Sequence, residues 1–179
     1  MAKAKPGAIT AGASSLGSSS HLNMELFKQM AGIDMFTVAF NGDAGAMQAL
    51  LGNQVDLLIT AAPTAVPQVQ GGTIRVLAVT SANRVPVLKN VPTVAESGYR
   101  GVEASTWFGY LMPARTPEAI VARMSAETTR VLNRADMRER LSKIGAEVAT
   151  MAPEEFDALI RREITDNEAV AKAIGLKVE

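Results

Sequence analysis

The sequence predicts an α/β fold built on a parallel sheet, and three features carry that prediction. Short apolar runs alternate with segments of helical periodicity between Ala8 and Thr80. The connections between them are short and rich in Gly, Ser and Asn. The run Val55–Thr60 shows little alternation of apolar and polar residues, as a strand covered on both faces does. Strands alternating with helices through short loops make a parallel sheet with helices on its faces.

The elements follow in order. Ala8–Ala13, after Pro6-Gly7, reads as a first strand, and Ser14–Ser20 as a Gly/Ser loop. Leu22, Leu26, Phe27 and Met30 share one helical face, and Gly32 supplies a stop. Phe36–Phe40 is a second strand, and Asn41-Gly42-Asp43 is a turn signal. Ala46, Leu50 and Leu51 mark a short helix that ends at Gly52-Asn53. Val55–Thr60 is expected inside the sheet, Pro63–Gln70 as a helix or turn ended by Gly71-Gly72, and Ile74–Thr80 as a further strand.

The pattern changes at Ser81. Asn83–Tyr99 carries Pro86 and Pro92 with little periodicity and reads as an ordered connector. Thr106–Met112 is expected as a strand around Trp107. After it, Pro117 suits the first turn of a helix capped by Thr116. Ile120, Val121, Met124, Thr128, Val131 and Leu132 form one apolar face, and Met137, Leu141 and Ile144 another that stops at Gly145. Val148 sits in a short extended piece, and Pro153 opens a last helix through Phe156, Leu159, Ile160 and Ile164. This second half has too few strands for a sheet of its own. Its helices either cover the first sheet or belong to a domain whose strands are missing.

Composition narrows the function. Formal net charge is zero, and aromatic residues make up only 4% of the chain. Neither the basic stripe nor the stacking platform of a nucleic-acid binder is present, nor the polybasic cluster that suits an anionic membrane. The chain has no cysteine, which excludes disulfides, thiolate metal sites and thiol nucleophiles, and its single histidine excludes multi-histidine metal sites. The N-terminus lacks the apolar core of a signal peptide, and no apolar run reaches membrane-spanning length. As it stands the chain is expected to be soluble and to remain in the cytoplasm.

The strongest local feature is Ser14-Ser15-Leu16-Gly17-Ser18-Ser19-Ser20-His21, which follows a strand and opens a helix. Free N–H groups and the dipole at a helix start attract anions, serine hydroxyls add donors, and Gly17 allows close approach. The bland alternative is an ordinary cap and loop. The lysine of a P-loop is absent. Loops at the carboxyl ends of parallel strands converge where strand order reverses, and Ser14–His21, Asn41–Gly45 and Ala61–Thr64 qualify. Asp43 is better explained by turn chemistry or capping than by catalysis. His21 is poorly placed to serve its neighbour Ser20 as a base, and no G-x-S-x-G elbow is present. It reads as a capping or ligand-lining residue. Trp107 reads as core, and Arg134–Lys143 as a solvated helix face.

Several segments, in order, resemble the receptors of tripartite tricarboxylate transporters, the Bug-type solute-binding proteins. They are Lys5-Pro6-Gly7, Gly17-Ser18-Ser19-Ser20-His21-Leu22, Phe27–Gly32, Asn41-Gly42, Leu50–Asp56, Arg75–Ser81, Val91–Gly98, Trp107-Phe108-Gly109 and Pro153–Phe156. The resemblance covers nearly the whole chain. It implies a type II periplasmic-binding-protein fold in which two α/β domains enclose a carboxylated ligand. On that template residues 1–105 are a complete second, ligand-binding domain with its connector. Residues 106–179 are the C-terminal return into the first domain, most of which, with a signal peptide and a Gly-rich ligand loop, is expected to be absent here. The ligand loop falls on Ser14, Gly17, Ser18, Ser19, Ser20 and His21, flanked by Asn41, Gly42, Ala62 and Thr64. Two positions depart from the pattern. Ala39 stands where a proline is expected, and Asp43 places a negative charge near a loop meant for anions.

The resemblance implies a non-enzymatic receptor with half of a cleft for small carboxylates, using no metal or cofactor. Its partners are the transporter's membrane subunits, and its location is the periplasm. The rival readings are a cytoplasmic small-molecule sensor on the same scaffold and a serine-dependent hydrolase using Ser18–Ser20. The apolar helix faces of residues 106–179 are expected to be buried by pairing with a second copy.

Overall fold

The computed structural model of the chain describes residues 1–102 and 104–176. Glu103, inside the expected connector, and 177–179, at the end of the expected return segment, lie outside the described residues. The elements are β1 (Thr10–Ala13), α1 (Ser19–Ala31), β2 (Phe36–Ala39), α2 (Gly42–Leu51), β3 (Leu57–Leu58) and α3 (Ala62–Gln70). After a single 3-10 turn at Pro86–Leu88 come α4 (Glu118–Leu132), α5 (Ala135–Lys143) and α6 (Pro153–Ala173).

The described sheet has three parallel strands in the order β2-β1-β3. Thr10 lies opposite Phe36 and Ala13 opposite Ala39, while Ala11 and Gly12 face Leu57 and Leu58 on the other side. The chain therefore moves to one side of β1 for β2 and to the other for β3. Strand order reverses at β1, and in open α/β sheets ligands bind outside the carboxyl ends of the strands at such a point. Asp56 fixes β3 to β1: its Oδ2 accepts from both the Thr10 N–H and the Thr10 hydroxyl at 2.8 Å. Those bonds, the backbone one foremost, hold its carboxyl below the usual aspartate value.

Each helix end has a local cause. Ser18 caps α1, its Oγ accepting from the His21 N–H at 3.3 Å. Gly32 closes α1 at φ 60°, and Gly32 and Ile33 donate back to Gln29 and Lys28. At the end of α2, Asn53 takes the same left-handed turn at φ 54°. The core lies between α1 and the sheet, where buried Ala11, Met24 and Met35 are joined by Ile9, Phe27, Ile33, Leu57 and Ile59. The connector folds over α1, with Tyr99 edge-on to Phe27 at 5.5 Å.

Three expectations are corrected. Ile74–Thr80 forms no strand; only Val79 makes a bridge, to Thr93, because the proline-bearing connector and not a strand runs beside it. β3 is consequently an edge of the described sheet and only two residues long. Thr106–Met112 is extended but unpaired: a strand exists only beside another strand, and no ladder forms there among the described residues. Finally, Pro117 itself is the cap of α4, and the Thr116 hydroxyl donates to the Pro113 carbonyl instead.

Candidate functional site

β1 ends at Ala13 and delivers the chain to the carboxyl edge of the sheet, where Ser14–Ser18 form a compact loop. The loop is built by its own serines. Ser20 Oγ, buried, accepts from the Ser14 N–H at 2.9 Å and lies 2.9 Å from Ser14 Oγ and 3.0 Å from Ser18 Oγ. Ser18 Oγ donates to the Ser15 carbonyl at 2.7 Å and accepts from the Ser15 N–H at 3.3 Å. The Gly17 N–H, at a residue with φ 74°, donates to His21 Nδ1 at 3.1 Å. A side chain at that φ would be strained, so glycine is required for this turn.

These bonds leave a defined remainder. The N–H groups of Ser19 and Ser20 lie in the first turn of α1, where no intrahelical acceptor exists. Ser19 is exposed, and its hydroxyl has no partner among the described residues. The β2–α2 turn joins the same edge, because the Gly42 N–H donates to the Ser14 carbonyl at 2.7 Å. Asn41 is exposed there, and its side chain makes no cap bond. Asp43 sits in the first turn of α2, where the helix dipole favours a negative charge.

The third loop follows β3. Ala61 caps α3, which starts at Ala62, and the Thr64 N–H closes the turn onto the Ala61 carbonyl at 3.0 Å. No hydrogen bond among the described residues ties Ala62 or Thr64 to the serine loop. The two loops share an edge because β1 and β3 are neighbours. Sequence reasoning passed over Thr60. Its Oγ1 is buried without a partner. Thr60 lies two residues beyond Leu58 just as Ser14 lies two beyond Gly12, and those two residues are in register. The available signal was a hydroxyl at the carboxyl end of an apolar run, read there as strand.

Of the sequence-predicted residues, the structure unites Ser14, Gly17, Ser18, Ser20, His21 and Gly42 in one bonded cluster, with Ser19 and Asn41 on its exposed side. His21 is buried: Nδ1 faces Gly17, and Nε2 lies 3.9 Å from Glu25 Oε1. Burial raises the Glu25 pKa, but hydrogen bonds from Lys28 and Thr37 and the charge of Lys28 outweigh it, leaving the carboxyl below its usual range. No cluster of metal-ligating side chains is found among the described residues. A groove of about 770 Å³ lies towards the other end of α1, between Lys3, Lys28, Asp34 and Ile174, away from the serine loop.

Comparison with known proteins accounts for this arrangement. Residues 1–176 match the family described as tripartite tricarboxylate transporter family receptor. The chain is 32% identical over 163 residues to a protein encoded between tcbD and tcbE in Pseudomonas sp. strain P51, covering 90% of this chain and 48% of that protein. It is 29% identical to BugT of Bordetella pertussis, covering 99% of this chain and 54% of BugT. The chain therefore spans about half the length of these relatives. Among solved structures, Rpa4515 of R. palustris with adipate superposes with a TM-score of 0.93 at 36% identity, covering 97% of this chain and 58% of that one. The periplasmic binding protein BugD gives a TM-score of 0.87 at 30% identity, covering 99% of this chain and 60% of BugD. MatC of Rhodopseudomonas palustris with bound malate gives 0.78 at 30% identity, covering 90% of this chain and 56% of MatC. The fold is thus that of the type II periplasmic binding proteins, with a parallel-sheet domain and part of another, and the chain belongs to the tripartite tricarboxylate transporter receptor family.

Proposed function

We propose that this chain supplies one wall of an interdomain cleft that captures a small dicarboxylate for a tripartite transporter in the periplasm. The observation that carries the reading is the set of donors left over at the carboxyl edge of the sheet. These are the N–H groups of Ser19 and Ser20, the Ser19 hydroxyl, Asn41 and, deeper, Thr60 Oγ1. A carboxylate accepts hydrogen bonds and carries negative charge, so it suits donors at a helix start. The adipate and malate held by two structural neighbours are small dicarboxylates. In this reading residues 1–105 are the ligand-binding domain, 106–179 return to the other domain, and transporter membrane subunits receive the loaded receptor.

Recognition needs no covalent step. Each of Ser14, Ser18 and Ser20 is engaged with another loop atom, and neither ring nitrogen of His21 meets a serine hydroxyl within hydrogen-bond distance among the described residues. This favours a binder over a serine hydrolase. Calorimetry with adipate and malate tests the proposal. A second wall ordinarily completes such a cleft, so binding to this chain alone is expected to be weak, and sub-micromolar affinity would overturn the half-cleft picture. Turnover of an activated ester that disappears in Ser20→Ala would overturn the non-enzymatic reading.

A further inference from the structure

We infer that His21 is a positioning residue for anion capture: it holds the Gly17 turn from behind the serine loop and does not touch the ligand. The inference rests on the reading of that loop as a carboxylate site. Nδ1 accepts the Gly17 N–H at 3.1 Å, and only an unprotonated nitrogen accepts. The neutral ring therefore carries its proton on Nε2, which faces Glu25 Oε1 at 3.9 Å. Both nitrogens are thus turned towards protein groups in a side chain only 8% exposed.

The arrangement is a variant of a capping box. Ser18 is the cap of α1 and His21 is its third helical residue. In the usual box that third residue is Glu or Gln and reaches back to the N–H of the cap itself. Here the imidazole Nδ1 instead accepts from the N–H of Gly17, the residue before the cap. Gly17 is the loop residue with a left-handed backbone, and only the cap Ser18 separates it from Ser19 and Ser20, whose N–H groups lie free in the first turn of α1. Anchoring its peptide fixes their direction before a ligand arrives, so less ordering remains to be done on binding.

Behind the ring, Glu25 is held in turn. Its Oε1 accepts from the Thr37 hydroxyl of β2 at 2.6 Å and from Lys28 Nζ at 2.8 Å. The wall that His21 leans on is therefore tied to the sheet. The loop is fastened to β1 at Ser14 and, through His21 and Glu25, backed by β2.

Two variants separate positioning from contact. His21→Asn retains an acceptor near the place of Nδ1; His21→Leu removes it. In His21→Leu the Gly17 amide is expected to exchange with water about tenfold faster by NMR, and adipate affinity to fall about tenfold. His21→Asn should recover most of both. Equal Gly17 exchange in wild type and His21→Leu would overturn the inference. So would an equal loss of adipate affinity in both variants with Gly17 exchange unchanged, which is the mark of direct ligand contact. The exchange measurement needs no ligand, so an absence of adipate binding to the wild type would count against the carboxylate reading alone. If His21→Leu does not fold, the nitrogen-15 spectrum of the wild-type chain decides, since it has one histidine. A neutral ring protonated on Nε2 supports the inference, and one protonated on Nδ1 overturns it.

Discussion

Ser19 and Ser20 are adjacent in sequence yet face different environments, and the difference predicts opposite mutant behaviour. Ser20 is buried, accepts the Ser14 N–H and contacts two further hydroxyls, so Ser20→Ala leaves the partly buried Ser14 N–H unpaired. It is expected to cost about 1–2 kcal/mol of stability, read by urea denaturation. Ser19 has a free, exposed hydroxyl, so Ser19→Ala should leave the urea midpoint nearly unchanged and weaken dicarboxylate binding in calorimetry. The serine cluster itself was legible because its composition marks a helix start. Which serine builds the loop and which faces solvent was not, since that depends on where β1 delivers Ser14. Glu25 adds a pH signature. Its folded pKa lies below the ordinary value of 4.5, so its stabilisation is complete above that value and is lost as pH falls through the lower, folded value. Glu25→Gln should therefore lower stability near about pH 7 and flatten the acid limb of the stability profile below about pH 4.5. Denaturation midpoints across that range check it.

Elements with their stabilising partners close in sequence were readable in advance. α1 and α2 lie where periodicity and the stops at Gly32 and Gly52-Asn53 place them. Strands were legible only in part, because a strand needs a neighbour that local sequence does not name: the expected Ala8–Ala13 and Phe36–Phe40 hold β1 and β2, but Val55–Thr60 shrinks to Leu57–Leu58, and Ile74–Thr80 and Thr106–Met112 join no ladder. The structure also explains why two separate motifs occur together. Trp107 meets Phe156 edge-on at 5.0 Å, and its indole N–H donates to Glu163 at 2.6 Å. Phe156 lies so close over Gly109 that a Cβ there would come within 2.9 Å of the ring's Cε1. The segments Trp107-Phe108-Gly109 and Pro153–Phe156 thus form one contact between an extended segment and the start of α6. Gly109→Val must displace the Phe156 ring and is expected to cost about 1–3 kcal/mol, as overpacking does. The sharp signals of Trp107 fluorescence on denaturation would report it, and an unchanged midpoint would show that Phe156 moves aside freely.

The two halves of the chain differ in how well they are covered. From Thr10 to Gln70 the strands and helices bury one another around Ala11, Met24 and Met35. Beyond residue 105 the chain joins that body at two places: Gly145 lies against Ala62 and Val66 of α3, and the far end of α6 packs on α1 with Ala171 buried. Phe108, Tyr110 and Leu111 are each more than 70% exposed in one extended segment, and Ile120, Met124 and Ile164 are about half exposed on α4 and α6. That concentration of apolar surface in extended, unpaired backbone offers both hydrophobic area and free N–H and C=O groups, the two things an added strand satisfies. The fold-back onto the first unit therefore occurs at Gly145 and at the C-terminal end of α6, and the surface around 107–112 stays open. The relatives BugT and the protein encoded between tcbD and tcbE are each about twice as long as this chain. For this chain alone we propose that a second copy covers the open surface, since a two-fold pair closes on itself and leaves no surface for further growth. Light scattering over a concentration series should show a rise from monomer to dimer mass, and the single Trp107 should become less accessible to a soluble quencher in step with it. Phe108→Asp with Leu111→Asp places charge on the exposed segment while leaving the core around Met24 untouched, and it is expected to shift the chain to monomer without lowering the urea midpoint of the first unit. Monomer mass at every concentration for the wild type would overturn the pairing, and dimer mass retained by the double variant would place the contact elsewhere.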